Sequence, residues 1–173
     1  MKKLLVLLAS MLILATSAFG AVGNFSTDLV FVPVTPCRIV DTRFATNSAQ
    51  TGVAANAPIA ANSTRGYWGW NVTYTAQGGA NADCGMLQSS DVAAIAVNFT
   101  VVTPATAGYI TAFPFGNSPP NAATVNFNAG EVRGNFAVVK LNQATTTFDF
   151  SIYSTSTTHV VVDVVGYYAR PRP

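Results

Sequence analysis

The stretch Thr147–Tyr168, TFDFSIYSTSTTHVVVDVVGYY, carries the two patterns from which the fold is read. Its first part alternates. Phe148, Phe150 and Ile152 fall on one side and Thr147, Asp149 and Ser151 on the other, the period of two that lets a strand rest one face on a core. Its second part, His159–Tyr168, is apolar almost throughout, as a central strand covered on both faces must be. Both patterns recur along the chain. Val92–Val102 is continuously apolar, whereas Arg65–Tyr74 (RGYWGWNVTY) alternates, with Trp68, Trp70, Val72 and Tyr74 on one face and Tyr67, Asn71 and Thr73 on the other. Leu29–Val32, Cys37–Arg43, Gly108–Phe115, Thr124–Asn128 and Arg133–Leu141 complete a set of about nine short strands. Turn chemistry separates them at Thr103-Pro104, Asn117-Ser118-Pro119-Pro120 and Ala129-Gly130. Each sheet can bury a face only against a second sheet. The expected fold is therefore all-β, a single antiparallel β-sandwich of Greek-key or jelly-roll type. Ala45–Asn62 and Ala76–Asp83 read as surface loops.

The start of the chain has a different character. Lys2 and Lys3 precede LLVLLASMLILA (Leu4–Ala15), and Ala18 and Gly20 supply small residues for cleavage, so residues 1–20 read as a secretory signal peptide. Residues 21–169 form the expected domain and 170–173 a disordered tail. The whole chain has nine Lys or Arg against seven Asp or Glu, but Lys2 and Lys3 leave with the signal, and the remaining basic and acidic side chains balance. A neutral chain with few charges offers no basic footprint for nucleic acid. No later apolar run reaches the roughly 18–20 residues of a membrane span. The expected location is secreted, either periplasmic or extracellular.

Two cysteines, Cys37 and Cys84, follow the signal. In an oxidising compartment they read first as a structural disulfide, contributing at most about 4 kcal/mol by chain entropy. Two thiols and one histidine cannot complete a zinc site, and no metal or cofactor is expected. His159, the sole imidazole, begins an apolar strand, and the chain has no G-x-S-x-G elbow for nucleophilic catalysis. Of the acids, only Asp41 and Asp163 interrupt apolar strands. A carboxylate placed there must be paired or hydrogen-bonded. Arg38 and Arg43 flank Asp41, and Asn98, Asn126 and Asn135 also interrupt apolar strands. These residues are expected to form a structural polar network that fixes register, in preference to the paired carboxylates of a glycosidase. Trp68, Trp70 and Tyr74 are the binding candidates. Sharing a strand face, they could offer sugar rings a flat platform, although paired aromatics on a strand of a small sandwich more often pack into the core or on a sheet face.

Four segments in order carry a resemblance: FVPVTPCRIVDTR (Phe31–Arg43), DCGMLQSSDVAAIAVNFTVVTPATAGYITAFPFG (Asp83–Gly116), ATVNFNAGEVRGNFAVVKL (Ala123–Leu141) and THVVVDVVGYYA (Thr158–Ala169). Together they resemble a β-rich module of secreted and cell-surface bacterial proteins. Its pattern runs P-x-R-x-x-D-T-R, A-V-x-x-N-V-T-V-x-x-P, G-Y-x-T-x-x-P-x-G, a later N-F, and D-x-x-G-Y-Y. The resemblance implies a non-catalytic extracellular module, with a disulfide where Cys37 and Cys84 stand. This chain departs from the pattern at Gly85-Met86-Leu87, and its Tyr67–Tyr74 aromatics are heavier. The leading expectation is a surface module for adhesion to polysaccharide or matrix. The alternatives are a self-assembling structural subunit or, further off, a small hydrolase using Asp41, Asp163 or His159.

Overall fold

The apolar runs become the middle of a sheet. In the computed structural model, which describes residues 28–44, 57–70, 72–77, 83–87, 89–144 and 148–171, eight strands form. They are β1 (Val30–Asp41), β2 (Ser63–Tyr67), β3 (Val92–Val102), β4 (Gly108–Pro114), β5 (Val125–Phe127), β6 (Val132–Lys140), β7 (Phe150–Ser154) and β8 (His159–Ala169). The expected signal peptide, most of the expected Ala45–Asn62 loop and the last two residues of the expected tail lie outside the described residues. At the tail's start, the Arg170 N–H donates to Asp91 O. No helix among the described residues is long and apolar enough to cross a membrane.

The strands form two antiparallel four-stranded sheets, ordered β1-β8-β3-β6 and β2-β7-β4-β5. The ladders β1·β8, β2·β7, β3·β6 and β4·β5 are those of one long hairpin turning between β4 and β5. Rolling that hairpin up adds the β3·β8 and β4·β7 ladders. This is the jelly-roll arrangement, a β-sandwich as expected. The two continuously apolar strands, β3 and β8, lie side by side in the centre of the first sheet.

Eight strands replace the expected nine because Leu29–Val32 and Cys37–Arg43 belong to one strand. β1 pairs with β8 over Val30–Pro33 and again from Cys37 to Asp41, with register shifts between Pro33 and Cys37 and between Arg38 and Val40. Prolines 33 and 36 supply no N–H to a ladder, and a bulge absorbs the interruption. The core lies between the sheets. Ile95, Val97, Phe99 and Val101 of β3 and Val160, Val162 and Val164 of β8 face Ile110, Phe150 and Ile152 across it, all of them nearly inaccessible. Cys37 and Cys84 form the expected disulfide, with Cα atoms 5.5 Å apart, tying β1 to the segment that precedes β3.

Candidate functional site

On the outer face of the first sheet, register places Arg38 opposite Asp163, and Asp163 opposite Asn98. The Arg38 guanidinium reaches Asp163 with two N–H groups, at 2.8 and 3.2 Å, and donates a third bond to Asp41 at 3.1 Å. Arg43 closes on Asp41 from the other side, donating at 2.7 and 2.8 Å from its side chain and once from its backbone. Asp41 is fully buried beneath the two arginines. Burial works to raise its pKa, but the Arg43 hydrogen bonds and both positive charges outweigh this and hold it below the usual carboxylate range. Arg38 is raised, chiefly by its hydrogen bond to Asp163. The Asp41 N–H in turn donates to Gln77 Oε1. Four expected members, Arg38, Asp41, Arg43 and Asp163, thus form one ion-pair cluster.

The asparagines do not join it. Asn98 donates to Thr100 Oγ1, Asn135 reaches across to the Thr124 carbonyl, and Asn126 stands exposed on β5. Position explains two of the three: Asn126 lies in the other sheet and Asn135 on the edge strand β6, both exposed to water, so neither needs an ionic partner. His159 Nδ1 contacts Thr42 Oγ1, which also accepts the Val160 N–H, so the imidazole closes the end of β8.

The expected aromatic platform is not present. β2 stops at Tyr67, and the chain beyond it turns inward. Trp70 and Tyr74 are core residues at 4% and 0% exposure, and Trp68 packs edge-on against Phe148. The cause is Asp149, expected on an outer face. Its Oδ2 accepts the N–H groups of Gly69 at 2.7 Å and Trp70 at 3.3 Å, so these N–H groups bond to a carboxylate rather than to a strand ladder. Asp149 is itself buried. Burial pushes its carboxyl up to about 7, against the opposing pull of those N–H groups. Tyr74, fully buried and near Asp149, is raised well above its ordinary value, first by burial and then by that acid. Phe148, expected in the core, instead lies with Phe115 over Gly66, where a side chain on residue 66 would collide with both rings.

Exposed aromatic surface lies elsewhere. On the outer face of the second sheet, Tyr109 of β4 and Tyr153 of β7 sit with ring centroids 6.4 Å apart, their planes inclined at 53°. Tyr153 lies between Thr64 and Thr111 in the ladders, and its hydroxyl donates to Asn62 Oδ1. Asn126 lies opposite Tyr109. The result is a pair of tyrosine rings on an outer sheet face, flanked by amides and threonine hydroxyls. A polar groove of about 260 Å³ between β5 and β6 opens beside it, lined by Asn126, Arg133 and Asn135 among others. The alternation of Tyr109 with Ile110, and of Tyr153 with Ile152, is the sequence signal that could have located this face. No family model, curated protein or solved structure matches the chain.

Proposed function

We propose that the protein is an exported, non-catalytic β-sandwich that binds neutral polysaccharide on the outer face of the β2-β7-β4-β5 sheet. One observation carries the reading: Tyr109 and Tyr153 stand side by side on an open sheet face, between Asn62 and Asn126. Sugar rings present C–H groups that pack on aromatic faces, while amides and hydroxyls exchange hydrogen bonds with sugar hydroxyls. A surface with few charges suits an uncharged ligand. The use of Asp41 and Asp163 in ion pairs with Arg38 and Arg43 also weighs against a hydrolytic role for them.

The test is a glycan-array screen followed by titration of the purified chain with the best oligosaccharide. Tyr109→Ala and Tyr153→Ala should each weaken binding about tenfold or more, given the roughly 1.5 kcal/mol or greater value of burying an aromatic side chain. Trp68→Ala should leave it nearly unchanged. Binding that survives both tyrosine substitutions would place the ligand elsewhere.

A further inference from the structure

Each four-stranded sheet has two edges, and three of the four carry features that resist pairing with another chain. β2 and β5 are only five and three residues long, and β1 is broken by Pro33, Pro36 and two register shifts. β6 differs. It runs nine residues from Val132 to Lys140, contains no proline, and pairs with β3 without a single shift.

Its hydrogen-bond parity can be read from the ends of the ladder. The Thr103 N–H donates to Glu131 O and the Leu141 N–H to Ala93 O, so the odd-numbered residues of β6 face β3. The N–H and C=O groups of Val132, Gly134, Phe136, Val138 and Lys140 therefore point to the free edge. No described residue bonds to them. The same residues place their side chains on the outer face, where Val132, Phe136 and Val138 are 64%, 56% and 50% exposed. A row of unpaired backbone groups beneath a row of exposed apolar side chains is a template for strand addition.

We propose that β6 pairs with β6 of a second copy, antiparallel about a two-fold axis at Phe136, to give a dimer with one continuous eight-stranded sheet. A second copy fits this edge in three ways. An antiparallel two-fold centred on Phe136 sets Val132 opposite Lys140 and Gly134 opposite Val138, so every outward-bonding residue meets another. No like charges are opposed: Lys140 faces Val132, and Arg133 on the inner face meets Val139. The bulk also fits: the two Phe136 rings meet at the axis, and each has on its diagonal the partner's Gly134, which has no side chain. The contact is isologous and closes on itself, so it stops at two copies. An edge contact is smaller than a standard interface, so the dimer is reversible.

The experiment is analytical ultracentrifugation of the purified chain from low-micromolar to sub-millimolar concentration. A reversible monomer–dimer equilibrium is expected. Phe136→Lys sets two ammonium groups opposite each other and should leave a monomer throughout, with unchanged far-UV circular dichroism. Val138→Pro provides a second probe. Its N–H is outside the β3 ladder, so proline there removes an intermolecular donor and leaves the fold intact. Phe31→Lys, at the exposed end of β1, should still dimerise. A chain monomeric at every concentration, a dimer that survives Phe136→Lys, or growth into open filaments would each overturn the proposal.

Discussion

Asp149 shows how far one side chain can redirect a fold. Its carboxylate takes two backbone N–H groups that would otherwise extend β2, and it does so from a buried position where burial pushes the carboxyl up to about 7. The unfolded chain loses this proton near the ordinary 3.8, so between the two values the folded state holds a proton that the unfolded state has released. Stability from this residue therefore falls as pH rises from the unfolded value towards about 7, then levels off. Asp149→Asn keeps an oxygen acceptor for Gly69 and Trp70 and cannot ionise. Urea unfolding should find this variant close to the parent at about pH 4 and more stable at about pH 8, by up to roughly 4 kcal/mol for a displacement of this size. A difference between variant and parent that stays the same from about pH 4 to about pH 8 would mean that the buried charge is compensated in the folded chain. Asp41 titrates with the opposite sign. Its pKa is lowered, so its stabilising contribution is present above the ordinary carboxylate value and is lost as pH falls through the lowered one.

At the scale of the strand, Arg38 joins β1 to β8 just beyond the bulged segment, with bonds to Asp163 on the neighbouring strand and Asp41 on its own. Arg38→Met keeps the apolar stem but removes the guanidinium, leaving Asp163 unpaired and Asp41 with Arg43 alone. Because Arg38 and Asp163 are each about a third exposed, solvent screens part of the loss. The expected cost is about 1–2 kcal/mol in denaturant unfolding, with acid unfolding displaced to higher pH as Asp41 loses a partner. An unchanged acid transition would show that Arg43 alone holds Asp41 ionised. This cluster was legible in the sequence because a charge inside an apolar strand must find a counter-charge, and the nearest lie within three residues. The same rule over-reached at Asn126 and Asn135, since an amide at a sheet edge is satisfied by water or a carbonyl. Alternation placed Phe150 and Ile152 in the core, but it failed across Gly69–Tyr74. No local period shows that an acid far along the chain will capture the N–H groups of residues 69 and 70. The outward tyrosines were readable in principle, each alternating with a buried isoleucine. The tryptophan-rich run suggests a binding face by its size, but size is also what favours burial.

For the whole molecule, the two proposed surfaces have a joint consequence. A two-fold axis that makes one continuous sheet from two β6 strands stands perpendicular to that sheet, because every strand keeps the same face on the same side. Both β2-β7-β4-β5 sheets then lie on one side of the extended sheet, and both Tyr109–Tyr153 pairs point away from it in the same direction. Two weak sites facing one way can engage a single polysaccharide surface together, and the second contact forms at the effective concentration set by the first. Affinity for a short soluble oligosaccharide, which can reach only one tyrosine pair, should be the same for the parent chain and for Phe136→Lys. Retention on immobilised polysaccharide should differ. The parent should bind more tightly than the monomeric variant by about 10²-fold or more, the usual scale of bivalent gain, and dissociate correspondingly more slowly. Surface plasmon resonance on a polysaccharide-coated chip, with the oligosaccharide titration as its control, separates the two contributions. A fall in both measurements would mean that residue 136 shapes the sugar site itself. An equal response on the coated surface would mean that the tyrosine pairs act singly, whatever the oligomeric state.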